Sequence, residues 1–127
     1  MRYLLDTHVV LWFFDEMEKL SESAFAAILG TANEKYVSIV SAWEVAIKIG
    51  TGKLHFTGGV SEFFTMINEN GFELLPITEN HIKTVEALLP IHKDPFDRLL
   101  ISTALVENLT LITADDNVRK YDVPWTW

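Results

Sequence analysis

His92-Lys93-Asp94-Pro95-Phe96-Asp97-Arg98-Leu99-Leu100-Ile101-Ser102-Thr103-Ala104 reads as a helix with a charged front end. Pro95 suits the first helical position, where its missing N–H would lack a partner anyway. Asp94 stands just before it, where a short carboxylate caps free backbone N–H groups. Phe96, Leu99, Leu100, Thr103 and Ala104 recur at helical spacing and define a buried face. Asp97 is therefore held in the first turn of a helix that packs on its other side. Both acids also have a plain structural explanation. The helix dipole favours negative charge at this end, and Asp94 followed by Asp97 mimics a capping box. Comparable acids at other strand-to-helix corners are what raise a functional reading.

The flanking chain supplies those corners. Arg2-Tyr3-Leu4-Leu5 is a buried strand ending at Asp6, and Thr7 to Phe14 is read as a helix with Asp6 at its start. Ser21 caps a helix from Ala24 to Leu29, closed by Gly30. Tyr36 to Val40 is the next strand. Ser41-Ala42-Trp43-Glu44 is spelled as a capping box that opens a helix from Trp43 to Ile49. That box accounts for Glu44, and Lys48, four residues on, is placed to pair with it. The glycine-rich stretch Gly50 to Gly59 is a loop without P-loop spelling. Val60 to Asn70 is a helix with Phe63, Phe64 and Ile67 inward. Phe72 to Leu75 is a third strand. Thr78 caps a helix from Glu79 to Leu89 that buries Ile82, Val85, Leu88 and Leu89. Pro95 to about Glu107 is the organising helix, turned off at Asn108. Leu109 to Thr113 is a fourth strand leading to Ala114-Asp115-Asp116, a helical turn spans Asn117 to Tyr121, and Asp122-Val123 starts an edge strand.

The 127 residues suit one domain, residues 1–127, with a real core. There is no cysteine, which excludes disulfides and thiolate metal sites and allows a reducing, cytoplasmic setting. The N-terminal residues meet charge too soon for a signal peptide, and no apolar run approaches the roughly 18 residues of a membrane span. The net charge of −8 opposes a broad basic grip on nucleic acid, yet suits a site that meets phosphate through divalent cations.

Short apolar strands alternating with helices predict an α/β fold with a parallel sheet covered on both faces. Ligands in such sheets sit beyond the carboxyl ends of the strands. Asp6, Glu44 and Asp115 follow strands, and Asp97 joins them if its helix starts at the same edge. Carboxylates packed together resist ionising without a cation. Oxygen ligands alone point to a hard ion such as Mg²⁺ or Mn²⁺, the usual equipment for phosphoryl-transfer hydrolysis. His8, His55, His81 and His92 show no ligand spacing and are assigned surface or capping roles. Trp12 and Trp43 are assigned to the core, while Trp125 and Trp127 either cover an apolar face or await a partner.

Leu4-Leu5-Asp6-Thr7-His8-Val9-Val10-Leu11-Trp12, Ser41-Ala42-Trp43-Glu44, Asp94-Pro95-Phe96-Asp97-Arg98-Leu99-Leu100-Ile101-Ser102-Thr103-Ala104 and Thr113-Ala114-Asp115 together resemble the PIN-domain ribonucleases, and among them the VapC-type toxins of toxin–antitoxin pairs. The resemblance implies a three-layer α/β/α domain with a parallel sheet of four to five strands. It implies a Mg²⁺- or Mn²⁺-dependent endoribonuclease that cleaves RNA phosphodiesters by metal-activated water. The matching catalytic and metal positions are Asp6, Glu44 and Asp97, with Asp115 as a fourth. Asp116 is the alternative to Asp115, and Asp94 is a supporting or capping acid. Thr7 and Thr113 are expected to hydrogen-bond the acids or metal waters. Lys48, Lys53 and Arg98 are the candidate RNA-backbone contacts, although solvation is the plainer role of each. The implied partners are RNA, a cognate antitoxin covering a groove lined by Trp12, Phe13 and Phe14, and a second copy in a homodimer; no membrane is involved. The alternatives are a housekeeping PIN nuclease of RNA maturation and a non-catalytic interaction module. A receiver domain or a haloacid-dehalogenase-type phosphatase fits poorly, because Thr7 and His8 stand where each would need a further acid.

Overall fold

The run Arg2–Leu5 forms β1 and occupies the centre of the sheet in the computed structural model, which describes residues Met1–Trp127. Five strands lie in the order β3-β2-β1-β4-β5, where β2 is Glu34–Ser38, β3 Glu73–Leu75, β4 Thr110–Ile112 and β5 Trp125–Thr126. Every pairing is parallel, with Leu5 opposite both Val37 and Ile112. The seven α-helices are α1 Thr7–Asp15, α2 Glu22–Leu29, α3 Ile39–Gly50, α4 Gly59–Glu69, α5 Glu79–Ala87, α6 Pro95–Glu107 and α7 Asp116–Arg119, with one 3₁₀ turn at Met17–Lys19. None is long and apolar enough to cross a membrane.

Successive strand residues point to opposite faces, and the two faces carry separate cores. Tyr3, Leu5, Val37 and Ile112 pack against Val9, Val10 and Phe13 of α1, Ile28 of α2, Val45 of α3 and Phe63 and Ile67 of α4. Leu4, Tyr36 and Leu111 pack against Leu100, Ile101 and Ala104 of α6 together with Val118, Tyr121 and Val123. These are the three layers expected of an α/β/α domain, with α5 added outside and packed on α6.

The organising helix has the predicted span. Asp94 caps it by accepting from the N–H groups of Phe96 (2.9 Å) and Asp97 (3.1 Å), and Asn108 leaves it in the left-handed conformation at φ 55°. Its buried side is rotated from the expected one. Leu100 to Ala104 are buried, whereas Phe96 and Leu99 are half-buried, because α5 and α3 as well as the sheet press on it.

Several expectations are corrected. Strand β2 ends at Ser38, and Ile39 and Val40 belong to α3 despite their β-branched side chains. Ser38 is the cap, accepting from the Val40 N–H at 3.0 Å, so tertiary context overrides strand propensity there. Ser41 consequently lies inside the helix, and the Ser41–Glu44 capping box does not form. Trp43 is 59% exposed instead of buried. Phe64 of α4 faces out; so do Ile82 and Leu89, because α5 stops at Ala87 and buries His81 in their stead. That histidine completes the cap with Thr78 and reaches Glu107 of α6 at 2.9 Å. The edge strand falls at Trp125–Thr126, not Asp122-Val123. Pro124 has no N–H to give, and pairing begins where its carbonyl accepts from the Leu111 N–H. Trp127 closes against Trp12, with ring centroids 5.8 Å apart.

Candidate active site

All five strands run the same way, so their carboxyl ends define one edge. Asp6 follows β1 there, its N–H donating to the Ile112 carbonyl at 3.0 Å. It occupies the N-cap position of α1, yet its side chain caps nothing. The carboxylate is 4% exposed and its Oδ2 accepts from Thr113 Oγ1 at 2.7 Å. That hydroxyl also accepts from the Asp115 N–H at 3.1 Å, which ties the corner after β4 to the acid after β1. Thr7, expected beside the acids, pairs instead with Ser41 Oγ at 2.8 Å.

Glu44 comes from the second turn of α3. It is buried, with Oε2 held by Lys48 Nζ at 2.7 Å, one helical turn away. Asp97 sits in the first turn of α6, and its Oδ2 meets His92 Nε2 at 3.1 Å. Asp115 caps α7 through the N–H groups of Asn117 and Val118. It also lines a cleft of about 190 Å³ with Asp6, His8, Trp12 and Ala114. Its neighbour Asp116 points to solvent and pairs with Arg119. The plain capping explanation therefore accounts for Asp94 and Asp115 and fails for Asp6 and Glu44.

The electrostatics follow from this placement. Burial raises the Asp6 carboxyl well above its ordinary value, against the Thr113 hydrogen bond and the nearby His8. Burial also raises Asp97, to about 7, and the charge of Asp6 adds to it; the His92 hydrogen bond opposes the rise, and the charges of Asp94 and Asp115 add further. The charge of Glu44 adds to the rise at Asp6, so Asp6 is close enough to repel both Glu44 and Asp97, and Asp97 close enough to repel Asp115. As the side chains stand, no three acids or histidines surround a single point at ligand distance. Thr113, Lys48 and His92 each take up one carboxylate instead. The donor set itself is all oxygen, anionic and partly desolvated, which fits a hard divalent cation.

The three candidate backbone contacts separate. Lys48 is spent on Glu44. Arg98 donates to the carbonyls of Leu89 and Val85 and to the Tyr121 hydroxyl, so it braces α5 and the C-terminal segment against α6. Lys53 is exposed and makes no side-chain hydrogen bond or ion pair. Neither His92, which meets Asp97, nor Tyr121, which meets His92, is marked in the sequence as part of the site. No ligand spacing marks His92, and nothing in the sequence joins it to a tyrosine 29 positions away.

A family model for the PIN domain matches residues 3–124, and the chain belongs to that family. It is 30% identical over 122 residues to Ribonuclease VapC22 of Mycobacterium tuberculosis, spanning 95% of this chain and 92% of that protein. The fold is similar to that of VapBC2 from Rickettsia felis, solved bound to a DNA fragment from its promoter. There the TM-score is 0.76 at 17% identity, over 100% of this chain and 99% of the other. It is also similar to a toxin-antitoxin complex from Klebsiella pneumoniae, with TM-score 0.59 at 20% identity over 89% of this chain and 86% of that one.

Proposed function

We propose that this protein is a divalent-metal-dependent endoribonuclease and the toxin member of a toxin–antitoxin pair. The observation that carries the nuclease reading is Asp6. It is a buried carboxylate at a helix start that caps nothing, with Asp97 and Glu44 near enough to repel it. Such an arrangement costs stability unless a cation relieves it. The toxin reading is supported by the likeness to Ribonuclease VapC22 and to a fold solved in a toxin-antitoxin complex.

Asp6, Glu44, Asp97 and Asp115 would hold the ion, directly or through water. Bound there, a Mg²⁺ or Mn²⁺ ion supplies an activated water and neutralises charge on the scissile phosphate. The protein's own contributions are positional. Thr113 fixes Asp6 Oδ2 and, through the Asp115 N–H, sets the distance between these two corners. Lys48 draws charge from Glu44. His8 and Trp12 wall the cleft beside Asp6. Lys53, on the loop after α3, remains as a free cation for an RNA backbone. An antitoxin protein and a second copy of the chain are the proposed protein partners.

Calorimetric titration with Mn²⁺, followed by cleavage of single-stranded RNA with and without chelator, tests this. The wild type is expected to bind Mn²⁺ and cut, and folded Asp6→Asn and Asp97→Asn to lose both. Binding without cleavage of any RNA would favour a non-catalytic interaction module.

A further inference from the structure

His92 lies outside the four acids, yet its ring is fixed on both sides. Nε2 meets Asp97 Oδ2 at 3.1 Å and Nδ1 meets the Tyr121 hydroxyl at 2.8 Å. The same hydroxyl receives Arg98 Nη1 at 2.9 Å and the His92 backbone N–H at 3.3 Å. A phenolic oxygen has two lone pairs and one proton to give. Arg98 and the backbone N–H fill both lone pairs. The tyrosine proton then has one acceptor within reach, His92 Nδ1. Nδ1 is therefore the acceptor of that proton, which leaves Nε2 to carry the ring proton and donate to Asp97. Asp97 Oδ1 accepts no hydrogen bond, and it is not a buried unpaired atom, so it keeps contact with solvent.

Two further contacts hold this chain of bonds rigid. The Tyr121 ring is 6% exposed and stands edge-on to His92, with centroids 5.4 Å apart. The Arg98 guanidinium lies 6.0 Å from the centre of the same ring, with two more of its N–H groups on the Leu89 and Val85 carbonyls. Arg98 follows Asp97 on α6, so the network starts and ends on one helical turn.

We propose that His92, set by Tyr121 and Arg98, is a positioning residue that clamps Oδ2 of Asp97 and presents Oδ1 as the atom available to a metal ion. The assignment rests on Asp97 being a ligand, as proposed above. A second-layer partner of this kind typically changes metal affinity by about 10–100-fold.

Two measurements on the whole chain test it. In the metal-free protein, ¹⁵N chemical shifts of the His92 ring are expected to show the Nε2–H tautomer. Tyr121→Phe, which keeps the packing, is expected to release that preference. In calorimetry with Mn²⁺, folded His92→Ala is expected to bind about tenfold or more weakly, and His92→Gln, whose amide can still donate to Asp97, to regain most of the loss. An Nδ1–H tautomer in the wild type would overturn the proposal. So would His92→Ala binding Mn²⁺ as the wild type does. Failure of the wild type to bind Mn²⁺ would instead remove the ligand role of Asp97 and bring down the clamp with it.

Discussion

At the scale of single residues, ionising Asp6 and Asp97 works against the folded state. The Asp97 carboxyl stands at about 7 in the folded chain against 3.8 in the ordinary state. The folded form thus holds this proton more tightly. The stability it contributes is complete below about pH 4 and is lost as pH rises through about 7. Asp6 acts with the same sign. Asp97→Asn should therefore stabilise the metal-free protein at pH 8, by on the order of 2 kcal/mol, and the gain should fade towards pH 4. Urea unfolding of both proteins across that range checks this. Thr113→Val keeps the shape but removes the donor to Asp6 and the acceptor for the Asp115 N–H. A loss of about 1–3 kcal/mol in the same assay is expected. Residues whose role follows from a neighbour in sequence were legible, as Asp94 before Pro95 and Lys48 one turn after Glu44 show. Arg98 and His92 were not, because their partners, Tyr121 above all, arrive from remote parts of the chain.

At the scale of elements, the entry into α3 decides where Glu44 points. Capping at Ser38 instead of Ser41 puts Glu44 in the second turn, buried, instead of at an exposed first turn. Ser38→Ala should cost about 1 kcal/mol as a lost cap. Trp43→Ala, which on the exposed side of the same helix loses only an edge-on contact with Phe96 at 5.3 Å, should cost about 0.5–1.5 kcal/mol, well short of the about 3–5 kcal/mol of a buried tryptophan. Circular dichroism melts of the two variants distinguish this register from the one spelled by Ser41 and Glu44. The misreading has a physical source. Val37-Ser38-Ile39-Val40 is β-branched on both sides of the serine, and local propensity carries the strand through it. Only packing against β1 and α6 says where the strand stops. The span of α6 was legible because Asp94, Pro95 and Asn108 punctuate it chemically at both ends.

At the scale of the whole molecule, the alternation of short apolar strands with helices was sufficient for the parallel sheet and its layers. The order of strands was not, since periodicity says nothing about which strands are neighbours. That order unites the acids: β4 pairs with β1 across more than a hundred residues of sequence. A cation bound by the assembled edge stabilises only the folded state. Millimolar Mg²⁺ or Mn²⁺ should raise the melting temperature of the wild type. The gain would be about 2.7 kcal/mol at a hundredfold excess over the dissociation constant, and Asp97→Asn should show little of it. The strand order also governs timing. During synthesis the strand ending at Asp6 emerges first of the five, yet its second neighbour and Thr113 follow only after about a hundred further residues. Until then the central strand has one open side and the acids have no common edge. A nascent chain therefore carries the pieces of the centre without the centre, and any activity it confers begins only once the strand that ends beside Thr113 has been made and paired.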